Sequence, residues 1–317
     1  MTAYFMGVDL GSTTAKAVVV GGEGAILGTG IAAMGAVSRR GMGQAIRSAL
    51  DQAGVAEGEL SGIVSTGYGR RLVPGVQRTF TEITCHARGT AAMSPGVRLV
   101  IDVGGQDSKA ITVDASGLVE DFAMNDRCAS GTGRFYEVLA RAVECDIGEL
   151  GALALRGTRD LEVSSMCATF AETEIVSLLA QGMPTADIAA SVHRAIASRT
   201  LALVAQVGRR VPAVLTGGVA KNPAAVHFLS LALDAPVRVP AQPQITGAYG
   251  AALLAMESAA GTDAAARREG DADFSAPMFP HQHSGAAHSC AGCEGTAAGT
   301  VHLGSVIGTR RPSPAAG

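Results

Sequence analysis

The sequence has no tryptophan, and aromatic residues make up only 4% of its 317 positions. Aromatic side chains are the platforms on which nucleic-acid bases stack. A basic excess is missing too, because 25 lysines and arginines stand against 28 acidic residues, a net charge of -3. Nucleic-acid-binding surfaces usually carry such an excess. We therefore expect no nucleic-acid partner.

Long apolar segments are also missing. No run approaches the roughly 18 residues that a membrane-spanning helix needs. The N-terminus has no basic segment followed by an apolar stretch, which is the pattern of a secretory signal. We expect a cytoplasmic protein with no membrane partner. Hydrophobic residues still make up 47% of the chain, which is typical of a globular protein.

A short segment occurs twice in the chain. Residues 8–20 align without a gap with residues 101–113, and the aspartate, the first glycine, the lysine, the alanine after it and the last valine are identical. Each copy reads as a strand, a tight glycine turn and a second strand. Such a repeat indicates two copies of one supersecondary unit. We predict an α/β fold with two related half-domains, 1–95 and 96–257, and a cleft between them.

Apolar periodicity predicts the remaining elements. Helices are expected over about 43–53, 134–143, 171–179 and 186–207, and strands over 63–65 and 211–215. The closing helix, 246–257, is free to pack back on the first half-domain. Periodicity stops at about Ser258, so we predict a mostly disordered tail over 258–317.

The two turns of the repeat are candidate phosphate-binding loops. Glycine permits a tight turn and a close approach of the backbone, so that amides and hydroxyls can cradle phosphate oxygens. The first loop comprises Asp9, Gly11, Ser12, Thr13 and Thr14, and the second comprises Asp102, Gly104, Gly105, Gln106 and Asp107. A third glycine turn, Thr216-Gly217-Gly218, opens a helix whose N-terminus can receive a nucleotide phosphate or ribose. Two ordinary β-hairpins are the alternative, since aspartate and glycine are common in turns.

Several side chains of these loops suit nucleotide chemistry. The carboxylates of Asp9 and Asp102 are hard oxygen ligands of the kind that Mg²⁺ takes. Gln106 is a candidate to orient the attacking water, as a glutamine does in other NTPases. Lys16 and Lys109, at matching places in the repeat, either reach phosphate or lie on the surface of their hairpins.

The two Asp-Gly loops and the Thr-Gly-Gly turn resemble those of the actin, Hsp70 and sugar-kinase superfamily. The resemblance implies duplicated actin-like (ribonuclease H-like) half-domains with ATP in the cleft. It does not imply which reaction follows.

Six cysteines are present, and without a secretory signal they are not expected to form a disulfide framework. Cys128 and Cys167 each precede a helical pattern, and a helix N-terminus stabilises a thiolate. Such positions suit an iron–sulfur cluster, but a cubane takes four cysteines, so two chains related by a two-fold axis are needed. Two small buried cysteines are the alternative.

The cysteine segments closely resemble those of the activators of 2-hydroxyacyl-CoA dehydratases and the ATPase subunits of benzoyl-CoA reductase. The resemblance runs from about Phe5 to Met256. It includes Asp9-Leu10-Gly11-Ser12-Thr13-Thr14, Thr66-Gly67-Tyr68-Gly69-Arg70, Glu82-Ile83-Thr84-Cys85-His86-Ala87, Asp102-Val103-Gly104-Gly105-Gln106-Asp107, Asn125-Asp126-Arg127-Cys128-Ala129-Ser130-Gly131-Thr132-Gly133, Ser164-Ser165-Met166-Cys167-Ala168-Thr169-Phe170-Ala171-Glu172 and Leu215-Thr216-Gly217-Gly218-Val219-Ala220.

This resemblance implies an anaerobic, ATP-driven electron carrier. Cys128 and Cys167 would bind one [4Fe–4S] cluster across a homodimer, or across a pseudo-symmetric heterodimer with a paralogue. A ferredoxin or flavodoxin would be the electron donor, and an acyl-CoA dehydratase or reductase the acceptor. Which acyl-CoA system is served does not follow from the motifs.

Two other functions remain open from the residues alone. A small-molecule kinase of the same superfamily needs a carboxylate base, for which Asp107 or Asp126 is available. A nucleotide sensor without enzymatic activity is the third candidate.

Outside the main motifs we expect structural roles for Cys85, His86 and Cys145, and we assign no role to Tyr68 and Arg70. The predicted tail holds histidines and cysteines, which are residue types that can bind metal. We expect them to bind metal adventitiously or to have no role. These are His281, His283, His288, Cys290 and Cys293.

Overall fold

Two five-stranded sheets of the same topology form the framework of the protein. The computed structural model describes residues 3–261 without 35–38, 127–128, 130, 162 and 164–167. The first sheet has the order β3-β2-β1-β4-β5, with β1 Tyr4–Leu10, β2 Thr14–Gly21, β3 Ile26–Ala33, β4 Leu60–Thr66 and β5 Arg78–Thr79. The second has the order β10-β9-β6-β7-β8, with β6 Leu99–Val103, β7 Ser108–Val113, β8 Val119–Asn125, β9 Ala213–Thr216 and β10 Val237–Arg238.

The repeat seen in the sequence is a repeat of the structure. In each sheet three strands form an antiparallel meander, and two further strands join parallel to its first strand. The hairpin register is the same in both copies, since Asp9 pairs with Lys16 and Asp102 with Lys109. Both turns are closed by the same backbone hydrogen bond, from Gly11 N to Thr14 O and from Gly104 N to Asp107 O. The predicted duplicated α/β fold is confirmed.

Eight helices connect and cover the sheets in the described residues. They are α1 Arg39–Ala53, α2 Glu82–Met93, α3 Gly133–Ala142, α4 Leu150–Ala154, α5 Ala168–Ala180, α6 Thr185–Val207, α7 Pro223–Leu233 and α8 Thr246–Ala259. All the predicted helices are present. Helix α1 begins four residues before the predicted Gly43, because Gly41 and Gly43 have low helix propensity and weaken the periodic pattern there. The short α4 was not predicted.

The central strand of each sheet is buried on both faces and is therefore apolar almost throughout. In β1, Met6, Val8 and Leu10 face the core cluster that contains α1, whereas Phe5 belongs to the cluster formed with α8. In β6, Ile101 faces the cluster of α3, α6 and α7, whereas Val100 faces the cluster formed with α2. This alternation follows from the two-residue period of a strand.

The two sheets are linked through helices α2 and α8. Helix α8 packs on the first sheet so closely that a β-carbon on Gly7 would overlap the carbonyl oxygen of Ala248. It also touches α2, since a β-carbon on Gly250 would overlap the Cys85 carbonyl oxygen. Helix α2 in turn packs on the second sheet through Ile83 and Ala87. The half-domain boundary at residue 95 stays a prediction.

Two further expectations concern the chain ends and membranes. No helix in the described part of the chain combines the length and apolar character needed to cross a membrane. The predicted tail lies outside the described residues from position 262 onward, and with it His281, His283, His288, Cys290 and Cys293.

Candidate functional site

The two hairpin turns open onto one cavity of about 370 Å³. This volume lies within the range of small-molecule sites. Most of the residues singled out from the three glycine turns and the two repeat lysines line it, namely Asp9, Gly11, Ser12, Thr13, Thr14, Lys16, Asp102, Gly104, Gly105, Asp107, Lys109, Gly217 and Gly218. Two others do not. Gln106 is exposed and lies outside the cavity lining, and Thr216 is buried behind it.

The first and second loops touch each other across the cavity. A β-carbon on Gly105 would overlap Thr13 Oγ1, so only glycine allows this approach of the two loops. The hydroxyls of the first loop therefore lie beside the glycine backbone of the second loop. This arrangement is expected of a site that holds phosphate oxygens from two sides.

The third glycine turn follows β9 at the same cavity. Gly217 has φ 85°, and a β-carbon there would overlap the Val103 carbonyl oxygen, so the turn requires glycine. Thr216 donates from Oγ1 to Asp102 Oδ1 at 2.9 Å and thereby supports the carboxylate from behind. The turn leads first into a short 3-10 turn, Gly218–Lys221, and only then into α7, which Asn222 caps.

The two repeat lysines have different surroundings. Lys16 Nζ pairs with Asp9 Oδ2 at 3.0 Å. Lys109 is only 1% exposed and pairs with Asp107, Glu82 and Asp102 at 2.7, 3.0 and 3.4 Å. Burial lowers the pKa of Lys109, but the three carboxylates outweigh burial and raise it well above its ordinary value. The surface interpretation of Lys109 was therefore wrong.

Asp102 is a buried carboxylate of the cavity that contacts a histidine, a lysine and a threonine hydroxyl. Burial alone would raise its pKa, but His86, Lys109 and the Thr216 hydroxyl outweigh burial and lower the pKa to about 2. His86 Nδ1 lies 3.5 Å from Asp102 Oδ1 and 3.1 Å from Thr246 Oγ1. Asp102 is thus an anion at neutral pH.

Sequence reasoning missed Glu82 and His86 as cavity residues. Both line the cavity, whereas Cys85 between them lies in the apolar cluster with α8. Residues four apart share a helix face, so the i,i+4 pair of titratable side chains, Glu82 and His86, was the signal available. The structural role expected for His86 stays a prediction.

The wall near α3 and α7 was missed as well. It is formed by side chains from four separate segments, namely Tyr136, Glu137, Ile147, Lys221, Asn222 and Gln244. Tyr68, which is 50% exposed, also lines the cavity, and Arg70 donates from Nη1 to the Gly67 carbonyl oxygen beside it.

The candidate cluster ligands Cys128 and Cys167 lie outside the described residues. The helices predicted to follow them are present, since α3 begins at Gly133 and α5 at Ala168. Among the described residues there is no group of three or more histidine, cysteine, aspartate or glutamate side chains placed to hold a metal ion. Cys145 is partly buried against the core, and burial raises the pKa of its thiol.

Two sheets of one topology, each contributing an Asp-Gly hairpin to a shared cavity, place the protein among α/β proteins of the actin-like fold. The sequence model of the BadF/BadG/BcrA/BcrD ATPase family matches residues 6–255, and the chain belongs to this family.

Similar proteins carry the names of dehydratase activators. The chain is 40% identical to the activator of lactoyl-CoA dehydratase from Anaerotignum propionicum, over 81% of this chain and 98% of that protein. It is 37% identical to the (R)-2-hydroxyglutaryl-CoA dehydratase activating ATPase of Acidaminococcus fermentans, over 82% of this chain and all of that protein. A solved structure is also similar, that of the activator of the 2-hydroxyisocaproyl-CoA dehydratase from Clostridium difficile with bound ADPNP. It is 35% identical to this chain, and the match covers 84% of this chain and 97% of that one, with a TM-score of 0.78.

Proposed function

We propose that the protein is an ATP-dependent electron-transfer activator. It hydrolyses ATP in the cavity and delivers a low-potential electron to a partner of the 2-hydroxyacyl-CoA dehydratase or benzoyl-CoA reductase type. The observation that carries the proposal is the pair of Asp-Gly loops meeting at one cavity, with the second loop hydrogen-bonded to α3. The activator names of relatives that match nearly their whole length support the same function.

In this proposal the triphosphate lies between the two loops. Backbone amides and hydroxyls of residues 12–14 and the backbone of Gly105 face its oxygens, and Lys16 supplies positive charge. Asp9 and Asp102 provide the hard oxygen ligands that suit Mg²⁺. The two aspartates would hold Mg²⁺ while Lys16 and Lys109 pair with the same carboxylates.

Hydrolysis transfers the γ-phosphoryl group to water. The bond from water oxygen to γ-phosphorus forms, the bond to the β–γ bridging oxygen breaks, and ADP and phosphate leave with release of a proton. Gln106 is proposed to orient this water. Its side chain is exposed and outside the cavity lining, so that role requires the second loop or the Gln106 side chain to move when nucleotide binds.

The second loop is joined to the helix that follows Cys128. Gly104 and Gly105 accept backbone hydrogen bonds from Gly133 and Arg134 at 2.8 and 2.9 Å. A displacement of the loop is therefore transmitted to the first turn of α3. ATP shifts the protein between two conformations only by the difference in its contacts with each, and the phosphates contact this loop directly.

The positions of Cys128 and Cys167 fit an iron–sulfur ligand set. Helices α3 and α5 begin shortly after them, and a helix N-terminus stabilises thiolates. When bound, a [4Fe–4S] cluster supplies one-electron transfer. Because the chain offers two such thiolates, a second chain provides the other two. A ferredoxin or flavodoxin is the proposed donor.

Iron content and mass of anaerobically purified protein test the proposal. We expect about four irons per two chains. Cys128→Ser and Cys167→Ser should each lose the iron and weaken the dimer, yet retain ADPNP binding. A colourless monomer with full ATPase activity, even after reconstitution with iron and sulfide, would contradict the proposal and favour the kinase.

A further inference from the structure

A buried histidine lies behind the cavity wall and does not line the cavity. His193, on α6, is fully buried where α6, α3 and α7 meet. Its ring contacts Tyr136 edge-on at 4.9 Å and lies 6.1 Å from the ring of Phe228. Both of its nitrogens have partners, Nδ1 with Ala189 O at 2.7 Å and Nε2 with Asn222 Nδ2 at 3.0 Å.

The proton on this ring can be assigned from the contacts of Asn222. Asn222 Oδ1 accepts from the backbone amides of Ala224 and Ala225, at 2.9 and 3.1 Å, and these groups can only donate. The side-chain amide nitrogen therefore faces His193, and Nε2 must be the acceptor. The proton sits on Nδ1 and is donated to Ala189 O. Burial lowers the pKa of His193 to about 4, so the ring is neutral at pH 7.

Asn222 is a wall residue of the cavity, and its other contacts hold its backbone and its Oδ1 but not its side-chain amide nitrogen. Its backbone amide donates to Val219 O at 2.9 Å, which closes the short turn Gly218–Lys221. On α4, a β-carbon on Gly151 would come within 2.6 Å of Asn222 Oδ1, so this side is closely packed. Without His193 the Asn222 amide nitrogen would lose this acceptor.

We propose that His193 is a positioning residue for nucleotide binding. By accepting from Asn222, it fixes the orientation of the Asn222 amide and the cavity wall formed by residues 218–222. Its ring also supports Tyr136, a second wall residue. The inference rests on the proposed function only in requiring that nucleotide occupies this cavity.

The test is the dissociation constant of ADPNP, measured by calorimetry on the full chain. His193→Phe keeps an aromatic ring but removes the acceptor, so the Kd should rise about tenfold, which corresponds to about 1.4 kcal/mol. His193→Gln offers a carbonyl oxygen to Asn222 and should restore most of the affinity. In ATP hydrolysis by His193→Phe, KM should rise by a larger factor than kcat falls. The control is His227→Phe, an exposed histidine on the outer side of Phe228, which should bind ADPNP like the wild type.

A second variant covers the case in which His193→Phe does not fold. Asn222→Ser keeps an oxygen that can cap α7 but is too short to reach His193, and its Kd should also rise about tenfold. Wild-type affinity in either variant overturns the inference. So does failure of His193→Gln to bind more tightly than His193→Phe. If instead the wild type does not bind ADPNP, the proposed function fails.

Discussion

Replacing Lys109 by methionine should strongly destabilise the fold, because it leaves three buried carboxylates without their cation. The lowered pKa of Asp102, about 2 against an ordinary 3.8, gives part of the magnitude. Each tenfold change in proton affinity is worth about 1.4 kcal/mol, so His86, Lys109, Thr216 and Lys16 together contribute about 2 kcal/mol at neutral pH after the cost of burial. The loss of Lys109 removes a share of this contribution. Glu82 and Asp107 lose the same cation. We expect a total loss of about 3–5 kcal/mol, as for other buried ion pairs that lose one partner.

The assay is urea unfolding at pH 7, with Lys16→Met as the matched control from the other copy of the repeat. Lys16 pairs with one carboxylate and has a side chain that is 16% exposed, so its loss should cost less than the loss of Lys109, which pairs with three. If Lys109→Met costs no more than Lys16→Met, the reasoning from burial and charge fails.

Acid provides a second check on the same variant. In the wild type the folded pKa of Asp102 lies below its unfolded value, so its contribution is complete above about pH 4 and is lost as the pH falls toward 2. Without Lys109 the buried carboxylates should have raised pKa values and take up protons on folding. The difference in unfolding free energy between wild type and Lys109→Met should therefore shrink from pH 7 to pH 5, and a constant or growing difference would contradict this account.

Four further predictions concern the cavity and the chain end. Asp9→Ala and Asp102→Ala should each abolish ATP turnover in a steady-state assay while iron content is unchanged, and full activity in both would exclude the assigned role. Gln106→Ala should lower kcat for ATP hydrolysis more than ADPNP affinity, since the position of the water matters in the transition state rather than in binding; an equal loss of both would count against it. Gly105→Ala should weaken ADPNP binding by at least about tenfold, because the new methyl group overlaps Thr13 of the facing loop, and wild-type affinity would show that the loops separate freely. Truncation after Gly261 should leave ATPase activity and iron content intact, whereas loss of about half the iron would show that Cys290 and Cys293 bind metal.

The sequence by itself determined the parts of the site that are local in the chain. An antiparallel hairpin is closed by residues a few positions apart, so the pattern of Asp9, Gly11 and Lys16 was enough to predict the turn, and its copy at Asp102 was enough to predict the duplication. The Thr216-Gly217-Gly218 turn was recognisable from its two adjacent glycines, although the contact that requires Gly217, with the Val103 carbonyl oxygen, joins distant parts of the chain.

Only the tertiary structure decided how equivalent residues differ and which distant residues join the site. Lys16 and Lys109 have the same place in the repeat, but α2 brings Glu82 to Lys109 alone. His86 meets Thr246 across 160 positions, and His193 meets Asn222 across 29. Such contacts depend on how helices pack on two different sheets, and packing is set by the complementary shapes of many side chains rather than by any periodic pattern in the sequence.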